Sequence, residues 1–459
     1  MESTFDLVVA GAGPAGCVLA AKAAKGGARV LLLERKREPG LDRDWVVDVG
    51  RDTFGLAGVP APEGTELFVE PGTTAIVTSD RRCAVDLPPV PMVPVRNGPY
   101  VRKLAAWAQE CGASLRCGTK VEGPIVEDGR VCGVRVKGPE GRDTLHALVV
   151  ADCTGIAGTV RSGTPPDWRV SERLHAEDVV LARRETRRID PGEAGASMKK
   201  GYLWDGTRYD RVGSQGVYSV ETFFLDLERG FIDILIGTKP GSGPTPEDRF
   251  ASVLEKHSFI GEKVFGDGGP IPIRRPLNTF VAPGLVCLGD AACQVVPAHG
   301  SGTASALIAA DLASVSVLRA IETGNADRPS LWGYCHAFQS GRGALLAYYD
   351  VIRQHTAGLT VEDLDMMISK GLVGPADVYS GLVPELPALG PVWVARKLRA
   401  GYVPPGKLFG LASSGLRASR TYRHYKRYPP LDAPGALERW AGAIPGAGRV
   451  KEAGSYWAG

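Results

Sequence analysis

A glycine-rich loop between a short apolar run and an alanine-rich segment is the feature that most restricts the fold of this chain. Residues 5–34 read FDLVVAGAGPAGCVLAAKAAKGGARVLLLE. This order predicts a strand, a tight loop, a helix and a second strand, which together form the unit that binds a dinucleotide pyrophosphate. In that unit the first glycine permits the turn, the second admits the ligand close to the backbone, and the third lets the helix pack on the strand. We therefore predict cofactor contacts from Gly11, Gly13, Pro14, Ala15 and Gly16.

An acidic residue closes the second predicted strand, 18 residues beyond Gly16. This residue, Glu34, is placed to accept hydrogen bonds from an adenosine ribose, and we include the adjacent Arg35 in the site. A carboxylate at this position repels a 2′-phosphate, which favours FAD or NAD over NADP.

A second motif, LGDAACQVVPAHGSG at residues 288–302, favours FAD over NAD. Asp290 follows Gly289 at the end of a short apolar run, where a carboxylate can accept hydrogen bonds from a ribityl chain. The backbone N–H groups at a helix entrance can stabilise negative charge on a reduced ring. The residues predicted to contribute here are Gly289, Asp290, Pro297, Gly300, Ser301 and Gly302.

With these motifs, the chain resembles the glutathione-reductase-type FAD proteins of the para-hydroxybenzoate-hydroxylase branch. Within that branch it is similar to the geranylgeranyl-reductase-like superfamily. The similarity rests on GAGPAG, ADCTGIAGTVR, GDAACQVVPAHGSG and GGPIPIRRPLN, and covers about two thirds of the chain. It implies that Glu34 binds the adenosine ribose, that Arg102 and Val121 lie on the adenine or pyrophosphate side, that Asp152 belongs to the middle motif, and that Asp290 holds the ribityl chain.

The fold class that we predict is α/β, with a glutathione-reductase-type FAD-binding Rossmann domain, an inserted antiparallel-sheet substrate domain and a helical C-terminal region. The FAD domain is expected in three parts, at residues 1–75, 100–165 and 275–325. Residues 76–99 and 166–274 are expected to form the substrate domain, and residues 326–459 the helical region.

The predicted function is that of an FAD-dependent oxidoreductase that exchanges hydride with an apolar small molecule, such as an isoprenoid or polyketide. The chain lacks the Lys-x-Cys-Gly segment and the YxWxFP segment of lipid-reducing members of the superfamily. A flavin-hydroperoxide monooxygenase or halogenase, a redox-neutral cyclase and a non-enzymatic flavin electron carrier therefore stay open as alternatives. Because a second G-x-G-x-x-G does not follow, we expect electrons from a transient donor: NAD(P)H, ferredoxin or a separate reductase.

No catalytic residue or metal ligand is assigned from the sequence. Cys293 is either a redox thiol or a packed small residue, and His299 is either a proton donor, a group that orients a substrate carbonyl, or a loop residue satisfied by backbone. Trp45 and Asp48 are either substrate contacts over the flavin or ordinary core and capping residues.

Charge and cysteine usage restrict the partners and the compartment. The net charge is +3, but Pro391 to Pro430 contains nine Lys and Arg and no Asp or Glu, interleaved with aromatic residues. This run predicts either peripheral contact with an anionic membrane, a solvated face or an oligomer contact, and nucleic-acid binding is not expected. Cysteines without paired spacing, and the absence of a predicted transmembrane segment, favour a cytoplasmic protein.

Overall fold

The structure is a computed structural model that describes residues 5–41, 44–69, 73–78, 84–87, 90–194, 208–213, 220–241, 243–372, 374–375, 386 and 405–445. The strands are β1 (Phe5–Ala10), β2 (Val30–Leu33), β3 (Val46–Gly50), β4 (Thr73–Val77), β5 (Ala84–Leu87), β6 (Met92–Arg96), β7 (Ser114–Arg116), β8 (Lys120–Glu127), β9 (Arg130–Gly138), β10 (Gly141–Asp152), β11 (Val179–Ile189), β12 (Arg208–Gly213), β13 (Val220–Asp226), β14 (Phe231–Thr238), β15 (Ile260–Pro272), β16 (Val281–Ala282) and β17 (Leu285–Cys287). The helices are α1 (Pro14–Lys25), α2 (Thr53–Leu56), α3 (Asn97–Glu110), α4 (Pro246–Lys256), α5 (Thr303–Thr323), α6 (Arg328–Phe338), α7 (Ala344–Thr356), α8 (Val361–Ser369), α9 (Pro405–Tyr425) and α10 (Ala436–Gly442).

The first sheet brings the predicted cofactor motifs to one edge. Its central order is β16-β17-β10-β1-β2-β7, and all neighbours from β17 to β7 pair in parallel. Ala10 pairs with Leu33 on one side and with Asp152 on the other, and Asp152 pairs with Cys287. The carboxyl ends of four strands therefore coincide, which is where ligands bind in open α/β sheets.

Strand β10 belongs to two pairings at once. Its first half pairs antiparallel with β9, and its second half runs parallel to β1. The β8–β9 hairpin turns at Asp128 and Gly129, which both have positive φ, as a type I′ turn requires. Strands β8, β9 and β10 thus form an antiparallel meander whose last strand returns to the first sheet.

The second sheet has seven strands in the order β15-β11-β14-β13-β12-β4-β5. Its pairings are antiparallel except for β12 with β4, which run parallel. One face buries Ile232, Ile234 and Ile236 in a cluster with Phe250 of α4. Helix α4 begins at a reciprocal capping box, in which the Thr245 hydroxyl accepts from the Asp248 amide and the Asp248 carboxylate accepts from the Thr245 amide.

The C-terminal helices pack against the first sheet and each other. Trp332 of α6 stacks on Tyr428, just beyond α9, with ring centroids 5.4 Å apart. The combination of a Rossmann-like parallel sheet, a separate and largely antiparallel sheet, and a helical C-terminal region confirms the predicted fold class.

One helix among the described residues is long and apolar enough to cross a membrane by length and composition. This helix is α5, with a mean hydropathy of 1.6 over the tested window, of which 56% is buried inside the protein. It packs against α1 and carries buried Ala309, Ala310 and Ala313, which is the pattern of a core helix.

Candidate functional site

A cavity of about 1180 Å³ runs along the carboxyl edge of the first sheet and reaches the second sheet. This volume exceeds the roughly 300–1,000 Å³ of most small-ligand pockets, so the cavity has room for a dinucleotide and a second molecule. Glu34 lines one end, Gly300 lines the middle, and Leu235 of β14 lines the end formed by the second sheet.

The glycine loop has the geometry that a pyrophosphate requires. A Cβ on Gly11 would lie 2.4 Å from the Cys153 carbonyl oxygen, and Gly11 has a φ of +107°. A Cβ on Gly16 would lie 2.0 Å from the Gly11 oxygen, whereas one on Gly13 would meet nothing within 4 Å. Gly11 and Gly16 are therefore required by packing, while Gly13 leaves space next to the N-terminus of α1, where backbone N–H groups and the helix dipole favour an anion.

The Glu34 carboxylate is fixed to the end of β2. It accepts hydrogen bonds from the amides of Ala12 at 3.1 Å and Lys36 at 3.0 Å, and it lines the cavity together with Arg35 and Val121. Arg102 is absent from the cavity lining and lies 3.9 Å from Glu38, with both side chains nearly half exposed. The predicted adenosine end thus brings Glu34, Arg35 and Val121 together and leaves Arg102 outside.

Asp152 shapes the loop that follows β10 and does not line the cavity. It is fully buried and accepts hydrogen bonds from the amides of Thr154, Val160 and Arg161, at 2.8 to 3.0 Å. The loop that it holds does line the cavity. The carboxylate of the middle motif therefore positions the wall of the site.

A buried glutamine, which the sequence reasoning missed, organises the turn that carries Asp290. The Gln294 side chain accepts from the Gly289 amide at 2.8 Å and donates to the Tyr334 hydroxyl at 2.8 Å. Tyr334 in turn donates to the Cys287 carbonyl at 3.1 Å. Asp290 lines the cavity, as predicted, and Pro297 is buried outside the lining.

Two of the three amides in the predicted Gly300–Gly302 loop are already engaged within the protein. The Gly300 amide donates to the Val296 carbonyl at 2.9 Å, and the Ser301 amide donates to Nδ1 of His299 at 3.2 Å. The loop lines the cavity, and the Gly302 amide and the first turn of α5 are left for a ligand.

His299 is held in one tautomer by its neighbour. Since a backbone N–H can only donate, Nδ1 is the acceptor, and the neutral imidazole carries its proton on Nε2. Protonation at Nδ1 would break this hydrogen bond. The residue lines the cavity, but its Nε2 atom is buried.

Strand β3 contacts both the Gly300–Gly302 loop and the second sheet. The Ser301 hydroxyl donates to the Asp48 carbonyl at 3.0 Å, and Nη1 of Arg184 in β11 donates to the Val46 carbonyl at 3.0 Å. Arg184 also binds the buried carboxylate of Asp233 through Nε at 2.8 Å and Nη2 at 2.7 Å. No signal in the sequence singles out Arg184 as this anchor, since it is one of five charged residues in the strand-like run VVLARRETRRI.

Apolar side chains of the second sheet and of its neighbours line the part of the cavity next to the Gly300–Gly302 loop. Trp45 and Asp48 both line the cavity here, beside Arg184. The apolar residues on this wall are Val47, Met92, Leu174, Val179, Ala182, Leu235, Pro270 and Ile271. We call this part of the cavity the apolar chamber. Its lining suits an apolar molecule, and Asp48 and Arg184 form its polar corner.

An ion-pair cluster lies beside the chamber. Arg274 contacts Glu172 at 2.6 Å and Asp178 at 3.7 Å. Burial of Glu172 opposes ionisation, yet Arg274 and Arg275 hold the pKa of this cavity-lining carboxyl below its ordinary value.

Cys293 is packed in the core and does not line the cavity. It is fully buried with Leu174, Val179 and Leu277, and burial raises the pKa of its thiol to about 11 although Arg274 acts in the opposite direction. Since the thiolate is the reactive form, the structure favours a packing role for Cys293 over a redox role.

Comparisons with known proteins agree with this arrangement. The model of an NAD(P)-binding Rossmann-like domain matches residues 9–57. A digeranylgeranylglycerophospholipid reductase of Sulfolobus acidocaldarius is 24% identical over 447 residues, which cover 96% of each chain. A geranylgeranyl bacteriochlorophyll reductase-like structure from Thermoplasma acidophilum matches with a TM-score of 0.73 at 18% identity, covering 90% of this chain and 99% of that one. The predicted resemblance to the geranylgeranyl-reductase-like superfamily is confirmed.

The chain is accordingly an oxidoreductase that is similar to reductases of the geranylgeranyl type. A flavin-dependent brominase also matches, with a TM-score of 0.60 at 14% identity over 91% of this chain and 99% of the brominase. At that identity the match shows a shared fold alone.

Proposed function

We propose that this protein is an FAD-dependent reductase that acts on a carbon–carbon double bond of an apolar, isoprenoid-like molecule. The observation that carries the proposal is a single cavity that joins the glycine loop, Asp290 and the Gly300–Gly302 loop to an apolar chamber on the second sheet. The named relatives, which reduce geranylgeranyl groups, support the substrate class.

The residues along the cavity fit FAD in the order of its parts. Glu34 would bind the adenosine ribose, the open space at Gly13 would take the pyrophosphate, and Asp290 would accept from the ribityl hydroxyls. The first turn of α5 would stabilise negative charge on the ring through its N–H groups and dipole. When bound and reduced by its donor, FAD would supply a hydride from its N5 position to one carbon of the double bond, and a proton would add to the other carbon.

The protein's part in the reaction would be orientation and exclusion of water. The apolar wall would hold the double bond against the ring face, and β3 would fix the separation between the ring site and the second sheet through Ser301 and Arg184. The reductant that we propose is a transient partner: NAD(P)H, ferredoxin or a reductase.

Anaerobic flavin reoxidation tests the proposal. The purified protein should show an FAD spectrum; the flavin is reduced chemically, and geranylgeranyl-bearing lipids are added with their fully saturated counterparts as matched controls. Reoxidation by the unsaturated lipid, with formation of the saturated product, is expected. Reoxidation that requires O₂ and is stimulated by an aromatic compound would instead favour the monooxygenase alternative, and protein without flavin would contradict the proposal.

The variant Asp290→Ala tests whether the Asp290 carboxylate binds the ribityl chain of FAD. It should lose FAD while keeping the circular dichroism of the parent protein. Full retention of FAD would remove the assigned role of this carboxylate.

A further inference from the structure

The exposed side of α9, which we call the outer face, carries apolar residues in its first half and cations in its second. Phe409, Ser413, Leu416, Arg420 and Arg423 are exposed at alternating intervals of four and three residues. This spacing places them on one side of a helix. Phe409 is 76% exposed and Leu416 is 51% exposed, which is unusual for large apolar side chains on the same helix face. Residues 391–404 of the predicted basic run lie outside the described residues.

The cations of the outer face lack acidic partners in the described part of the chain. Arg420 and Arg423, together with Lys426 and Arg427 just beyond the helix, make no ion pair there. The two acidic residues that follow are paired elsewhere, since Asp432 lies 3.3 Å from Arg328 and Glu438 lies 3.3 Å from Arg169. Within the described residues, this positive charge is therefore not balanced by an ion pair.

The inner face of α9 holds the helix rigidly on the protein. Ala418 is fully buried in a cluster with Tyr348, Tyr349 and Val351 of α7. At its last residue, the Tyr425 hydroxyl accepts from Nη1 of Arg275 at 3.1 Å. Because Arg275 follows β15, whose Pro270 and Ile271 line the cavity, α9 is connected to the wall of the apolar chamber.

We propose that the outer face of α9 docks the enzyme on an anionic lipid bilayer, with Phe409 and Leu416 inserted between headgroups and the four cations against lipid phosphates. A flat headgroup layer can contact every residue of a straight helix face at once, and two exposed apolar side chains gain from entering the acyl boundary. Apolar insertion and a basic patch are each weak anchors, and together they suffice for stable peripheral binding. The inference rests on the proposed function in one respect: docking would place the opening of the apolar chamber near a substrate that is dissolved in the membrane.

Vesicle flotation of the full-length protein tests the docking. The probes are vesicles of phosphatidylcholine alone and of phosphatidylcholine with phosphatidylglycerol. The parent protein should float with the anionic vesicles, float much less with the neutral ones, and release from the anionic vesicles as salt is raised. Each of the variants F409D/L416D and R420E/R423E/R427E should weaken apparent binding by at least about tenfold.

The variant V315D/R319E is the matched control. Val315 is 68% exposed on α5, and Arg319 is exposed on the same helix, so this variant also replaces an apolar side chain by Asp and an Arg by Glu, but at a different surface. This control should float like the parent. Circular dichroism and thermal unfolding of every variant should match the parent, because the replaced side chains are exposed.

Three results would overturn the docking proposal. They are parent protein that does not float with anionic vesicles, outer-face variants that float like the parent, and a control that loses as much binding as they do. Outer-face variants that keep vesicle binding but lose reduction by an acidic ferredoxin would assign the face to a protein donor instead. The flavin spectrum of the same samples separates this question from the proposed function, since flavin loss with intact flotation contradicts only the reductase proposal.

Discussion

Replacing Gly13 with alanine should weaken FAD binding without weakening the fold. The Gly13 Cβ would meet no protein atom within 4 Å, and its φ of −78° and ψ of −178° are ordinary for alanine. Lower entropy of the unfolded chain adds roughly 0.4–1 kcal/mol of stability, and loss of a glycine N-cap removes a comparable amount. The free energy of unfolding of the apoprotein should therefore change by less than about 1 kcal/mol.

The same methyl group would stand where the pyrophosphate is proposed to approach the backbone. We expect the Kd for FAD to rise at least tenfold, which corresponds to about 1.4 kcal/mol of binding free energy. The measurements are flavin-fluorescence titration and denaturant unfolding of the apoprotein.

Two further glycine variants make this prediction decisive. In Gly16→Ala the Cβ would lie 2.0 Å from the Gly11 oxygen, so α1 must shift, and we expect a loss of about 1–3 kcal/mol of folding stability. In Gly55→Ala the Cβ also meets nothing within 4 Å, but the residue lies within α2 and outside the cavity lining, so FAD affinity should stay unchanged while stability should rise by about 0.4–1 kcal/mol. Unaltered FAD affinity in Gly13→Ala, or parental stability in Gly16→Ala, would refute the reasoning.

Other replacements test the chamber and its surroundings. Arg184→Met should cost about 3–5 kcal/mol in denaturant unfolding because the 1%-exposed carboxylate of Asp233 loses its partner, and adding Asp233→Asn should recover part of that loss; parental stability in the single variant would contradict the anchor. Cys293 should resist iodoacetamide at pH 8 in the folded protein, since with a pKa of about 11 only about one thiol in a thousand is ionised; rapid modification found by peptide mass mapping would exclude this burial. Because the pKa of Glu172 is lowered in the folded state, its stabilising contribution exists above its unfolded pKa and disappears as the pH falls through the folded value. The stability advantage over Glu172→Gln should therefore be largest near pH 7 and vanish in acid, and a pH-independent difference would argue against the pairing with Arg274.

The cofactor half of the site was predictable because its signals are local in the chain. The loop from Gly11 to Gly16 and the carboxylate of Glu34 follow from a strand, a turn and a helix within 30 residues, whose geometry depends on neighbours along the sequence. The Gly289–Asp290 turn could be recognised for the same reason.

The substrate half was decided by contacts between distant residues. Arg184 reaches a carbonyl 138 positions earlier in the chain, and Ser301 reaches one 253 positions earlier, so both contacts depend on sheet register and packing. Only the tertiary structure shows that Asp152 is buried and holds a loop through hydrogen bonds, and that Arg102 lies outside the cavity. Sequence periodicity shows which residues face a core, and so it determined the Rossmann unit and the FAD hypothesis. The free energy of packing the whole chain decides which faces meet. It therefore also decides where the apolar chamber and its polar residues lie, and a single local pattern does not predict this.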